Sequence, residues 1–139
     1  MTSPVLDASA FVASISVHEL QHQAARAALA RVSPTTPFVV PELFRIEVMA
    51  ALARRGESDA LLDTVIAYLC TNRFVTVPMD ARAADSAMQV ARTARIRAYD
   101  AVYAALALDR GSPLLTFDRE LTARLRAAYP AIQLLPDTP

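Results

Sequence analysis

Short apolar runs, too brief to be helices, alternate along the whole chain with longer stretches in which apolar residues return every three or four positions. This change of rhythm constrains the fold more than any other feature. A parallel strand pair needs a crossover between its members and a helix supplies it, so the alternation predicts helices around a parallel sheet. Five runs fit strands: Pro4 to Leu6, Phe38 to Val40, Phe74 to Val77, Leu114 to Phe117 and Ile132 to Leu135. The stretches between them fit helices at about Ser9–Ala13, His18–Val32, Glu42–Arg55, Asp59–Thr71, Ala81–Arg95, Tyr99–Asp109 and Arg119–Ala127. Their ends carry ordinary signals, with Ser16 and Glu19 as a capping box, Ser58 and Asp80 as N-caps, and Gly56 and Gly111 beyond C-termini.

The chain has 139 residues, 54% of them hydrophobic, which is enough for a single domain over residues 1–139 with its own core. There is no apolar run of about 18 residues and no basic segment leading into an apolar one, so a cytoplasmic protein without membrane span or secretory signal is expected. Cys70 is the only cysteine, and its setting in AYLC predicts a buried thiol. The formal net charge is zero, which excludes a uniformly basic nucleic-acid module, yet all 14 basic residues are arginines. Arg92, Arg95 and Arg97 lead into Asp100, and Arg45, Arg54 and Arg55 bracket Glu47, so local positive patches are compatible with that balance. Without lysine there is no ordinary phosphate-binding P-loop, and two glycines cannot make a dinucleotide loop.

Four acids stand out once placed on this map. Asp7 and Asp118 follow the first and fourth strands, at the carboxyl ends where open parallel sheets bind ligands. If the first three strands build outward and the fourth returns beside the first, these two become neighbours at the reversal of strand order. Glu47 in LFRIEVMAAL shares a helical face with Leu43, Ala50 and Ala51, and Asp100 in YDAVYAALA shares one with Tyr103, Ala104 and Ala107. Individually, the strand-end acids could be helix caps and the helical acids could be exposed. Together they form a self-repelling set whose pKa values burial would raise, and a divalent cation relieves that conflict. Oxygen ligands without histidine or cysteine point to Mg²⁺ or Mn²⁺.

These residues resemble the PIN-domain ribonucleases, especially the VapC-type toxins of toxin–antitoxin pairs. The resemblance spans essentially the whole chain: VLDASAFVA with Asp7 and Ser9, PELFRIEVMAAL with Glu47, YDAVYAALA with Asp100, and LLTFDREL with Thr116 and Asp118. It implies a PIN-like three-layer α/β/α fold with a central five-stranded parallel sheet. It also implies that Asp7, Glu47, Asp100 and Asp118 bind one or two Mg²⁺ or Mn²⁺ ions and that Ser9 and Thr116 support them. The implied activity is hydrolysis of RNA leaving a 5′-phosphate and a 3′-hydroxyl, with arginines near the groove on the RNA backbone. The implied partners are a second copy in a homodimer and a cognate antitoxin that wraps the toxin and inserts into its acidic groove.

Other readings compete. HELQH, His18 to His22, matches the zinc-protease helix H-E-x-x-H, but these are the only histidines and a third protein ligand would have to be a carboxylate. Packing, or contact with a second copy or an antitoxin, is the expected role of that amphipathic segment. Phosphoaspartate receivers and haloacid-dehalogenase-like phosphotransferases also place an aspartate after their first strand, but both rely on a lysine. A structure-specific DNA nuclease shares the fold and metal chemistry, with additional acids and helical arches for which this chain has little room. A PIN-like module that only binds RNA should lack some of the acids, and all four are present.

Overall fold

The computed structural model describes residues 2–137; of the expected domain 1–139, Met1, Thr138 and Pro139 lie outside the described residues. Five parallel strands, β1 (Val5–Leu6), β2 (Phe38–Pro41), β3 (Phe74–Val77), β4 (Leu114–Leu115) and β5 (Leu134–Leu135), form one sheet in the order β3-β2-β1-β4-β5. Val5 pairs with Val39 on one side and Leu114 on the other, so β1 is the centre of the sheet and the order in which strands are added reverses between β1 and β4. The central strands are buried on both faces, which explains why they read as uninterrupted apolar runs rather than alternating ones.

Among helices α1 (Ala8–Ile15), α2 (His22–Ala30), α3 (Leu43–Arg54) and α4 (Asp59–Leu69), α1 packs on α2 and α3 and α3 on α4, while α5 (Ala81–Ala94), α6 (Ala98–Arg110) and α7 (Arg119–Ala128) form a second group, completing the α/β/α arrangement. Phe11, Phe44 and Phe74 stack edge-to-face and tilted at 5.7–5.8 Å, joining α1, α3 and the edge strand β3 into one aromatic core. The second group packs through alanine instead. Ala101, Ala104, Ala105 and Ala107 of α6 are buried, and small side chains let this helix lie close over β1, β2 and β4. Gly111 ends α6 at φ 61°, in the left-handed conformation that glycine adopts without a Cβ clash.

Several local expectations are corrected. The helix expected from His18 starts at His22, and residues 17–21 form turns, so His18 and His22 do not share a helical face. His18 is exposed, while buried His22 uses Nδ1 to contact the Ala13 carbonyl oxygen at 2.8 Å, a structural role that leaves no paired-histidine zinc site. Ser16 and Glu19 make no capping box, because Ser16 is the C-cap of α1 and Glu19 pairs with Arg55. Cys70 is exposed: α4 buries Val65 and Leu69, and the next position rotates about 100° out of that stripe. The last strands are also shorter than their apolar runs, since chain after Leu115 leaves the ladder to carry Thr116 and Asp118.

Candidate active site

At the carboxyl end of the sheet the chain leaves β1 as Asp7 and β4 as Thr116, and these two meet. Thr116 Oγ1 donates to Asp7 Oδ2 at 2.8 Å across the point where strand order reverses. Ser9 adds two further donors, its hydroxyl to Oδ2 at 2.8 Å and its backbone N–H to Oδ1 at 3.2 Å. Asp7 is only 6% exposed, so these donors replace the water a carboxylate would otherwise require, and one of them also caps α1. Thr116 serves both acids: its hydroxyl oxygen accepts the Asp118 backbone N–H at 3.2 Å. Asp118 in turn caps α7, with Oδ1 accepting from the Leu121 N–H at 3.0 Å.

Glu47 and Asp100 reach the same region from helices on opposite groups. Glu47 lies one turn into α3 at the margin of its buried stripe, which is Phe44, Val48 and Leu52; Ala50, expected on that stripe, is exposed. Burial pushes the Glu47 carboxyl above its ordinary value, the Tyr103 hydrogen bond opposes this, and the charges of Asp7 and Asp100 raise it further. Asp100, in the first turn of α6, is raised first by burial and then by Asp7, with Arg97 acting against them and Asp118 adding repulsion. Glu47 thus feels Asp7 and Asp100, and Asp100 feels Asp7 and Asp118.

Two participants were not anticipated as such. Tyr103, expected only as part of an apolar stripe, is 1% exposed and donates its hydroxyl to Glu47 Oε1 at 2.7 Å. Its phenol is pushed far upward by burial and by Glu47, so it stays a neutral donor. The sequence signal was available: a tyrosine buried beside an acid requires a partner for its hydroxyl. Arg97 is the second, with Nε 3.3 Å from Asp100 Oδ2 and Nη2 3.8 Å from Asp118 Oδ2. Asp100 and Asp118 line a cavity of about 350 Å³ together with Glu120 and the arginines Arg95, Arg97 and Arg124.

Among the described residues no three His, Cys, Asp or Glu side chains form a ready coordination set. The donor chemistry nonetheless fits a hard divalent ion: carboxylate oxygens alone, mutually repelling, with a guanidinium already drawn in between Asp100 and Asp118.

A sequence model described as "PIN domain" matches residues 5–126, which includes every residue of this site. The chain belongs to the PIN domain family. No curated protein matches it. Among solved structures, this PIN domain is similar to the Mycobacterium tuberculosis toxin VapC20, described as cleaving the sarcin–ricin loop, with a TM-score of 0.74 at 19% identity over 87% of this chain and 94% of that one. A toxin–antitoxin complex from Klebsiella pneumoniae gives a TM-score of 0.63 at 16% identity over 82% and 85% of the two chains. VapBC2 of Rickettsia felis, bound to a DNA fragment from its promoter, gives 0.67 at 13% identity over 96% and 97%. These likenesses show the PIN fold over most of the chain.

Proposed function

We propose that this PIN domain is a Mg²⁺- or Mn²⁺-dependent endoribonuclease, the VapC-type toxin of a toxin–antitoxin pair. One observation carries the reading: at the switch point of the sheet Thr116 joins Asp7 to Asp118 and Arg97 joins Asp118 to Asp100, while the charges of Asp7 and Asp100 both act on Glu47. A bound divalent ion supplies Lewis acidity toward phosphate and a hydroxide nucleophile at neutral pH. The four carboxylates would hold it.

The chain's own residues prepare that chemistry. Ser9 and Thr116 lock Asp7 into one orientation before any ligand arrives, which removes a reorganisation cost from binding. Tyr103 occupies Oε1 of Glu47 and leaves Oε2 for a ligand or a proton. Capping consumes Oδ1 of Asp118, so Oδ2 is its functional oxygen. Three arginines share one cavity with Asp100, Asp118 and Glu120, and once a divalent ion neutralises the first two acids their forked guanidinium donors suit phosphate oxygens.

RNA is the substrate that this arrangement and the toxin-like fold favour. The resemblance to toxin–antitoxin assemblies supports a cognate antitoxin as partner; its coverage of the acidic groove and a homodimer as the toxin's own assembly are part of the same proposal. Among the described residues no helix is long and apolar enough to cross a membrane.

The test is incubation of the purified protein with a mixed pool of structured RNAs and Mg²⁺ or Mn²⁺. Cleavage should disappear with EDTA and in folded Asp100→Asn, and its products should carry 5′-phosphates. Full activity in folded Asp100→Asn would remove the assigned site.

A further inference from the structure

We propose that Arg97 is a counter-ion built into the acid site, holding the cation's place between Asp100 and Asp118 until a divalent ion displaces it within the cavity that all three residues line, where it meets a substrate phosphate. The proposal rests on the reading of the acids as a metal centre and adds to it a residue that regulates loading.

The geometry distinguishes Arg97 from the other two arginines of the cavity. Arg124 is clamped, with Nε and Nη2 on Glu120 Oε1 at 3.2 and 3.1 Å and Nη1 donating to the Arg95 carbonyl at 3.0 Å. Arg95 occupies a left-handed backbone position at φ 56°, with its carbonyl engaged by that same contact. Arg97 alone spends its guanidinium on the acids, and it does so loosely. Its contacts are 3.3 and 3.8 Å, its side chain is 81% exposed, and as the N-cap of α6 it makes no capping hydrogen bond that would fix it. A cation held by two long contacts and open to solvent can leave.

It also stands on the atoms a metal would need. Both contacts are to Oδ2, and Oδ2 is the atom of Asp118 that capping leaves free. A divalent ion and the guanidinium cannot both occupy that space, because each is attracted by the same carboxylates and repelled by the other. Metal binding must therefore release Arg97. The released group lines the same cavity as the two acids, where a guanidinium can fork onto phosphate oxygens. Loading of the site would thereby expose an anchor for the substrate, and the two binding events would favour each other.

Calorimetric titration of metal-free full-length protein with Mn²⁺ tests the first half. Arg97→Gln should bind Mn²⁺ about three- to tenfold more tightly than wild type, the range set by losing one or two solvent-exposed competing ion pairs. Arg97→Lys, which keeps the charge, should stay near wild type. Equal or weaker Mn²⁺ binding by Arg97→Gln would overturn the counter-ion role while leaving the metal reading intact. No Mn²⁺ binding by either protein would remove the metal reading itself and this role with it. Fluorescence anisotropy with a short single-stranded DNA, a phosphate-bearing probe without the 2′-hydroxyl, tests the second half. Mn²⁺ should strengthen its binding to wild type more than to Arg97→Gln, and no binding or an equal gain in both proteins would eliminate the phosphate role.

Discussion

Asp7 sits on the inner side of the acid cluster beneath donors from Ser9 and Thr116, whereas Asp100 and Asp118 on the outer side share one exposed guanidinium. The inner side is satisfied by neutral groups on rigid elements, so it holds its shape whatever is bound. The outer side is balanced by a mobile charge, so its state depends on what else competes for the carboxylates. Glu47 belongs with the inner side, since neutral Tyr103 holds it. One half of the site is preorganised and the other is exchangeable, which reconciles a rigid sheet with a site that must admit metal and substrate in turn.

The largest effects should come from making the same change on both sides. Asp7→Asn turns an acceptor edge into a donor facing other donors in a buried place, and should cost about 2 kcal/mol, the range for a lost charge-assisted hydrogen bond. Asp118→Asn should cost about 0.5 kcal/mol or less, because asparagine caps a helix as well as aspartate does. Both should lower metal-dependent cleavage by about a hundredfold or more. Urea unfolding read alongside activity checks the pair, and equal destabilisation by both substitutions would erase the distinction between the two sides.

Smaller effects should follow from removing the neutral donors while keeping the acids. Thr116→Val keeps the shape but strips the hydroxyl from both Asp7 and the Asp118 N–H, at about 1–2 kcal/mol, since all three groups are at least half-buried. Tyr103→Phe should cost about 1 kcal/mol, because half-buried Glu47 can turn to water. Each should weaken Mn²⁺ binding about tenfold, as loss of groups that orient ligands does. Calorimetry gives that value directly. It would sharpen the comparison further if Arg97→Gln moved the same affinity in the opposite direction.

The sheet and its switch point were legible in the sequence because they depend on patterns that local physics imposes: apolar runs of strand length, helices between them, and acids directly after the first and fourth runs. The order β3-β2-β1-β4-β5 then brings the ends of β1 and β4 together. What was not legible depends on rotamers and on the tertiary path. The apolar stripe of α6 announced a buried Tyr103, but not that its hydroxyl would meet Glu47, 56 positions away in sequence. HELQH has the spacing of a paired-histidine helix, and only the turns at residues 17–21 separate its two ends. Cys70 was misplaced by a single position, since a helix that buries Val65 and Leu69 turns the next residue outward. Arg97 read as one member of a charged run. Its partners became visible only when Asp118 was carried beside Asp100 by the fold.

The smallest effect is a pH dependence that runs against the usual behaviour of carboxylates. Glu47 and Asp100 have folded pKa values above those of the unfolded chain, so between the two values the native state binds more protons than the unfolded state. Stability from this source is fully present below the unfolded values and declines as pH rises through the folded ones. In metal-free protein, Asp100→Asn should flatten, relative to wild type, the decline in Tm as pH rises from the ordinary carboxylate range at about 4. Added Mn²⁺ should act in the reverse sense, stabilising wild type more as pH rises, because it binds only the deprotonated carboxylates. Asp118→Asn removes the smallest of the influences that raise Asp100, so it should flatten the same decline less than Asp100→Asn does. A parallel loss of slope in both variants would show that repulsion is spread evenly over the cluster rather than concentrated on the half-buried acids.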